Sequence, residues 1–401
     1  MTLAILIFVA TYAVIALGRA PWLRIDRAGA ALLGGSLMVA VGVLTPDEAW
    51  AAIDASTLLL LLGMMILVAN LRLAGFFGLT TRWAAARAHR PVLLLTAIVA
   101  VAGLLSAFLV NDTVCVMLAP LVAETVLAMK RRVTPYLLAL AMASNAGSVA
   151  TITGNPQNIV IGGISHIPYV QFTAALAPVA AISLVAVVCF VLLAYRDEFR
   201  STARIAFAPE VARVHPWLLA KALAATLGAV VFFFLGQPPA KVAIVAGALL
   251  LLTRRIKPQR IWREIDWSLL VMFAGLFVVV HGLEKAAFTP DLMAHMHGLH
   301  LGEPAVLAAV SAVLSNIVSN VPAVLLLKSF VQNLADPHRA WLMLAMSSTL
   351  AGNLTLAGSV ANLIVVERAR RLGIHISFWE HARIGIPVTL LTLAIGVWML
   401  A

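Results

Sequence analysis

The chain has 401 residues, 62% of them hydrophobic and only 11% charged, with a net charge of +11. An ordinary soluble domain carries roughly 45–50% apolar and about 25% charged residues, so this composition excludes one and defines an integral membrane protein. The basic residues sit in short clusters between apolar runs, with no aromatic-basic platform, which sets nucleic acid aside as a partner and marks them as topology signals.

Residues 1–17 are apolar and the first charge, Arg19, comes after them. A secretory signal carries its positive charges in front, so the order predicts a retained first helix with its N-terminus outside. Runs such as "STLLLLLGMMILVAN" (56–70) and "LAPVAAISLVAVVCFVLLA" (176–194) approach the roughly 20 residues that cross a bilayer, and they recur along the whole chain. One polytopic domain follows. Assigning loops 18–27, 72–90, 130–135, 196–215, 254–266 and 367–383, with Lys221, to the cytoplasm places 24 of the 28 Lys and Arg on that side. Both termini then lie outside a cytoplasmic membrane. Cys115 and Cys189 fall in apolar segments without partners at metal-ligand spacing, so neither a disulfide framework nor a zinc site is expected.

The basic clusters flanking residues 91–129 lie on one side, yet two short apolar arms run between them and meet at Asn111-Asp112-Thr113. Two full spans with a tight polar turn satisfy this, and so does a re-entrant hairpin whose tip is buried at mid-membrane depth. Next comes "SNAGSVATITGNPQNIVIG" (144–162), polar and rich in helix breakers between apolar runs. Asn155 is placed to cap, and Pro156 to open, a second half-helix.

The second half repeats these features. "IDASTLLLLLGMM" (53–65) aligns on "IDWSLLVMFAGLF" (265–277), and "LLSAFLVNDTVCVMLAPLV" (104–122) on "VLSNIVSNVPAVLLLKSFV" (313–331). "LAMASNAGSVATITGNPQNIVI" (140–161) aligns on "LAMSSTLAGNLTLAGSVANLIV" (344–365). Three blocks in one order make a duplicated unit. The predicted architecture is an all-α polytopic membrane protein with a first repeat at 1–195, a cytoplasmic linker at 196–215 and a second repeat at 216–401. Each repeat holds five transmembrane helices, one of them broken, plus one re-entrant hairpin. On the charge map the copies are inverted, an arrangement that many secondary transporters share. Val360 stands where the first copy has its proline, which predicts a gentler second break.

A broken helix exposes N–H groups at one half-helix start, which suit an anion, and carbonyls at the other half-helix end, which suit a cation. The candidate binding residues are Asn111, Asp112, Thr113, Ser144, Asn145, Thr151, Thr153, Gly154, Asn155 and Asn158 in the first half, with Gln157 nearby. Their counterparts are Ser319, Asn320, Asn353, Thr355, Gly358, Ser359 and Asn362. Asp112, an intramembrane carboxylate, is the candidate group for proton or cation coupling. The competing account is that Gly, Pro, Ser and Thr merely kink or pack membrane helices. Lys328 either attracts an anion or snorkels outward, and Glu124 is taken as structural. Asp291, His295, His297 and His300 resemble metal ligands but read better as a solvated loop cluster. Cys115, one thiol near Asp112, reads as core packing.

At "NDTVCVMLAP", "SNAGSVATITGNPQNIVIG", "SNVPAVLLL" and "AGNLTLAGSVANLIV" the chain resembles the ion transporter superfamily, which includes arsenite permeases, the melanosomal P protein and the divalent-anion/sodium symporters. The resemblance covers nearly the whole chain and is strongest to short arsenite-permease-like anion transporters. It implies that Asn111, Asp112, Thr113, Ser319, Asn320 and the two breaks line the site. The symporters carry Ser-Asn-Thr at both tips, whereas here the tips read Asn111-Asp112-Thr113 and Ser319-Asn320-Val321.

The expected function is secondary active transport of a small inorganic anion or arsenite-like metalloid oxyanion by alternating access, coupled to protons or sodium. A sodium-coupled carboxylate or sulfate symporter is the runner-up, and an ion channel the alternative of another class. No enzyme is expected, because the embedded residues offer no metal set, nucleophile elbow or acid pair. No cofactor is expected beyond a bound sodium ion or proton. The lipid bilayer is one expected partner. Analogy with arsenite permeases suggests an ATPase, and an apolar scaffold face suggests a homodimer.

Overall fold

The structure, a computed structural model, describes residues 1–17, 25–87, 90–200, 214–253, 256–287 and 300–401. Most of the 196–215 linker and three members of the loop cluster, Asp291, His295 and His297, lie outside the described residues. The described chain is helical: α1 (Thr2–Leu17), α2 (Arg27–Ala40), α3 (Pro46–Ala52), α4 (Ala55–Leu73), α5 (Phe76–Arg87), α6 (Pro91–Phe108), α7 (Asn111–Ala128), α8 (Val133–Ser148), α9 (Pro156–Ser165), α10 (Tyr169–Ala194) and α11 (Arg196–Phe199). The second half follows with α12 (Pro216–Phe234), α13 (Pro239–Leu251), α14 (Pro258–Trp262), α15 (Trp267–Ala287), α16 (Pro304–Val318), α17 (Asn320–Gln332), α18 (Pro337–Leu350), α19 (Val360–Arg371) and α20 (Phe378–Leu400). Among the described residues, seven of these helices are long and apolar enough to cross a membrane.

Local chemistry sets the boundaries. Pro91, Pro156, Pro216, Pro304 and Pro337 each open a helix, where the missing N–H costs no hydrogen bond. Thr45 and Glu48 form a reciprocal capping box at α3. Glu48 also receives Lys285, from the end of α15, at 2.6 and 2.7 Å. That hydrogen bond, with the Thr45 backbone bond, holds the Glu48 carboxyl below the usual carboxylate range. Arg72, at the end of α4, pairs in turn with Glu264 just beyond α14.

These pairs join the two halves, and so does the packing beneath them. Helix α2 lies along α15 and α13 along α4, each from opposite halves. A Cβ on Gly63 would collide with the Ala243 carbonyl carbon, and one on Gly275 with that of Ala31. Gly247 faces the Gly63 carbonyl and Gly35 the Gly275 carbonyl, at 3.2 and 3.4 Å from where a Cβ would stand. The partners in each comparison are 212 positions apart, the spacing of the first repeated block, so the same backbone-to-backbone contact is built twice. Absence of a side chain is what permits it.

The transport-type elements pack on this frame. Helices α6 and α7 form one hairpin and α16 and α17 the other, turning at Val110 (φ 47°) and Ser319 (φ 77°), equivalent positions in the left-handed region where side chains are disfavoured. Leu109, Val110 and Asn111 are all buried in protein, so the first tip is no exposed turn. Helix α7 lies against α19 and α17 against α9, so each hairpin meets the half-helix of the opposite copy.

We predict that Gly63→Val and Gly275→Val each destabilise by at least about 1–3 kcal/mol, since a rigid backbone cannot yield as a side chain can. Gly228, whose Cβ position is open, should accept alanine with a change within about 0.5 kcal/mol. Apparent melting temperature and monodispersity in detergent measure both, and equal tolerance at all three sites would refute the close-approach argument.

Candidate functional site

Each break is closed by its own asparagine. Asn158 Nδ2 donates to the carbonyls of Ser148 and Thr151 at 3.2 and 3.0 Å, and Asn362 Nδ2 donates to those of Gly352 and Thr355 at 2.7 and 3.1 Å. Backbone left open in a low-dielectric interior is costly, and the amide satisfies two orphaned carbonyls at once. The second half-helices are capped: Asn155 Oδ1 accepts from the Asn158 N–H at 2.8 Å and Ser359 Oγ from the Ala361 N–H at 3.2 Å. The sequence predicted a gentler second break without proline, but it is the longer one, with 3-10 turns at Ala351–Asn353 and Leu356–Gly358 against one at Ile152–Gly154. Ser359 takes the same extended backbone as Asn155 and caps as well, so proline is not what ends the helix.

Neighbouring elements hold the breaks in equivalent ways. Thr151 donates to the Ala107 carbonyl on α6, and Thr355 donates to Asn316 Oδ1 on α16 at 2.9 Å. Ser106 and Ser144 share a 2.8 Å hydrogen bond, while Ser315 donates to the Ser348 carbonyl at 3.1 Å. Ser144 also donates to the Asn111 carbonyl at the hairpin tip, at 3.1 Å. Thr153 bonds Tyr169 at 2.9 Å. Gly154 and Gly358 lie where a Cβ would strike the Ser148 carbonyl and Asn316 Oδ1 respectively.

Asn145 ties the halves together. Its Oδ1 accepts from Asn111 Nδ2 and Ser359 Oγ, both at 3.0 Å, and its Nδ2 donates to Asn353 Oδ1 at 2.9 Å and Asn362 Oδ1 at 3.2 Å. All four bonds an amide can make are present. The matching residue, Thr349, accepts from Asn155 Nδ2 at 3.3 Å and Gln157 Nε2 at 3.0 Å. Each unbroken half-helix thus buttresses the other copy's break.

A small cleft opens beside this network, lined by Asn111, Asp112, Pro156, Gln157, Ser319, Asn320, Ser359 and Val360. These residues are the starts of α7, α9, α17 and α19, so four helix N-termini converge on one space. Helices α7 and α17 have no side-chain cap. Asn111 Oδ1 is buried without a hydrogen-bond partner. The remaining wall comes from Ile15, Arg27, Leu269, Met272, Val321 and Pro322.

Of the expected residues, Asn111, Asp112, Ser319, Asn320 and Ser359 therefore line the cleft. Asn158 and Asn362, expected as ligands, spend their amide donors inside the breaks; Ser144, Asn145, Thr151, Thr153, Asn353 and Thr355 are engaged in the network, and Thr113 is half-buried outside the lining. Sequence reasoning missed Arg27, counted there as a cytoplasmic loop charge. Its one signal is local: it opens α2 directly behind the Asp26 cap, which turns it from loop residue into helix start. Lys328 pairs with Glu284 at 3.3 Å, away from the cleft, and Glu124 is exposed. Cys115 is buried, and His300 sits 3.5 Å from Glu303 on the surface.

Hairpins, breaks and a shared polar cleft within an all-helical bundle define a multi-pass membrane transporter rather than an enzyme. The model of the citrate transporter family matches residues 12–351, and the chain belongs to that family, within the ion transporter superfamily that its motifs resemble. The silicon efflux transporter LSI3 of Oryza sativa subsp. japonica is 31% identical over 94% of this chain and 93% of its own length. The putative transporter arsB of Dictyostelium discoideum is 25% identical over 94% and 87%. The crystal structure of the Alcanivorax borkumensis YdaH transporter, described as having an unusual topology, shares the fold with a TM-score of 0.59 at 15% identity, covering 100% of this chain and 96% of that one.

We predict that Asn145→Leu, which strands four buried partners, lowers stability by several kcal/mol at about 1–3 kcal/mol per unmade bond. Asn158→Leu and Asn362→Leu should lower it as well, because the open break carbonyls lose their donors. Wild-type melting behaviour in all three variants would show that the network is dispensable.

Proposed function

We propose that this chain is a secondary active transporter of a small inorganic oxyanion or metalloid oxyacid, working by alternating access in the cytoplasmic membrane with its two halves inverted. One observation carries this: four helix N-termini converge on one cleft that Asn111 and one carboxylate, Asp112, also line. The N-termini offer N–H donors to oxyanion oxygens. Asn111 Oδ1 and Asp112 offer acceptors, which suit a ligand that keeps hydroxyl protons. Such a two-sided set fits a hydroxylated weak acid better than a fully ionised di- or tricarboxylate, for which the cleft supplies only Arg27 as counter-charge. The names of the silicon efflux and arsB relatives support the same substrate class.

Asp112 is the coupling group in this scheme, binding a proton or a sodium ion in one half of the cycle. Arg27 and Leu269 in the cleft wall belong to the starts of α2 and α15, next to loops that the charge map assigns to the cytoplasm, which supports reading this as the cytoplasm-facing form.

Flux in proteoliposomes under separately imposed proton and sodium gradients tests the proposal, with arsenite, sulfate, phosphate, succinate and citrate as probes. The expected result is arsenite movement driven by protons, with Asp112→Asn lowering driven flux by at least about tenfold and removing its pH dependence. Sodium-driven succinate, citrate or sulfate movement would replace this reading with the symporter, and a unitary conductance would replace it with a channel.

A further inference from the structure

Arg27 and Asp112 reach the same cleft from different parts of the molecule. Arg27 is the first residue of α2, which belongs to the glycine-interlocked frame with α15, whereas Asp112 is in the first turn of the hairpin helix α7. Both are half-buried and both line the one cleft. Neither has an ion-pair partner within 4 Å among the described residues, so neither charge is committed elsewhere. The other groups facing Asp112 are Asp266, just before α15, and Cys115 on its own helix. Among the described residues Arg27 is thus the one cation facing it.

Resting on the coupling role given to Asp112 above, we propose that Arg27 is a specificity-determining positioning residue that serves two anions in turn. In the empty cleft its guanidinium attracts the Asp112 carboxylate from beyond ion-pair distance, across the boundary between frame and hairpin. When a proton from the bulk binds Asp112, that attraction ends and the guanidinium hydrogen-bonds the substrate's oxygen; loss of that proton restores the attraction. No covalent bond is made or broken, and one proton is taken up for each oxyanion accepted. The attraction also ties the empty, unprotonated hairpin to the frame, which opposes slippage without cargo.

The test is a double-mutant cycle on the purified full-length protein in detergent, with Arg27→Gln, Asp112→Asn and the pair, read as melting temperature at about pH 5 and about pH 9. The attraction exists only while Asp112 is ionised. Arg27→Gln should therefore lower melting by several degrees more at the alkaline pH than at the acid one, and the excess should vanish in the Asp112→Asn background. A loss that is equal at both pH values, or that persists in the double variant where the carboxylate is gone, would mark Arg27 as merely structural and overturn the proposal. In the arsenite assay, Arg27→Lys should stay within a few-fold of wild type and Arg27→Gln should fall about tenfold or more; undiminished flux in Arg27→Gln would likewise overturn it. Asp112→Asn flux that keeps its pH dependence would instead remove the coupling role, whatever the cycle shows.

Discussion

A helix broken inside a membrane protein leaves carbonyls and N–H groups that water cannot reach, and the rest of this structure depends on how they are satisfied. Asn158 and Asn362 close the carbonyl side of their breaks, and Asn155 and Ser359 cap the N–H side. Once these side chains are spent on the backbone, the breaks become rigid, and other residues must meet a ligand. Asn145 extends the same logic across the molecule: with all four amide bonds made, it locks the first hairpin tip to the second break. The hairpins and half-helices are thereby assembled into one hydrogen-bonded unit.

The frame follows a different principle. Helices of opposite halves approach through Gly63 and Gly275 until backbone meets backbone, so contact there is van der Waals packing with little room for rearrangement. Ion pairs at its periphery, Glu48 with Lys285 and Arg72 with Glu264, add cross-links between halves. A close-packed scaffold beside a polar, internally bonded unit places the cleft at their boundary.

Much of this was legible in the sequence because the signals are local. Proline before an apolar run, Asn-Pro after a glycine and a polar tip between two short apolar arms each dictate backbone geometry within a few residues, so helix starts, breaks and tips could be placed. What could not be read is which way an amide points. Asn158 and Asn111 are both asparagines near polar turns, yet Asn158 donates to two carbonyls of its own break while Asn111 donates to Asn145 and lines the cleft. That difference depends on the packing of the opposite repeat, which is far away in sequence. Arg27 was hidden for a related reason: a loop-edge arginine and a helix-start arginine look alike until α2 is seen to bring it to the cleft wall.

The deviations from symmetry carry further than the symmetry. Gly63 matches Gly275, Asn158 matches Asn362, and Thr151 bonds α6 where Thr355 bonds α16, so the duplicated residues are those that hold the fold together. Asp112, by contrast, corresponds to Val321, and Arg27 to Pro239, the first residue of α13. The two charged residues lining the cleft are therefore the two that the repeat does not supply. A duplicated scaffold alone gives two equivalent hairpins with no preferred charge state. Placing one acid and one base on the first copy breaks that equivalence, so the two hairpins meet the cleft with different charge.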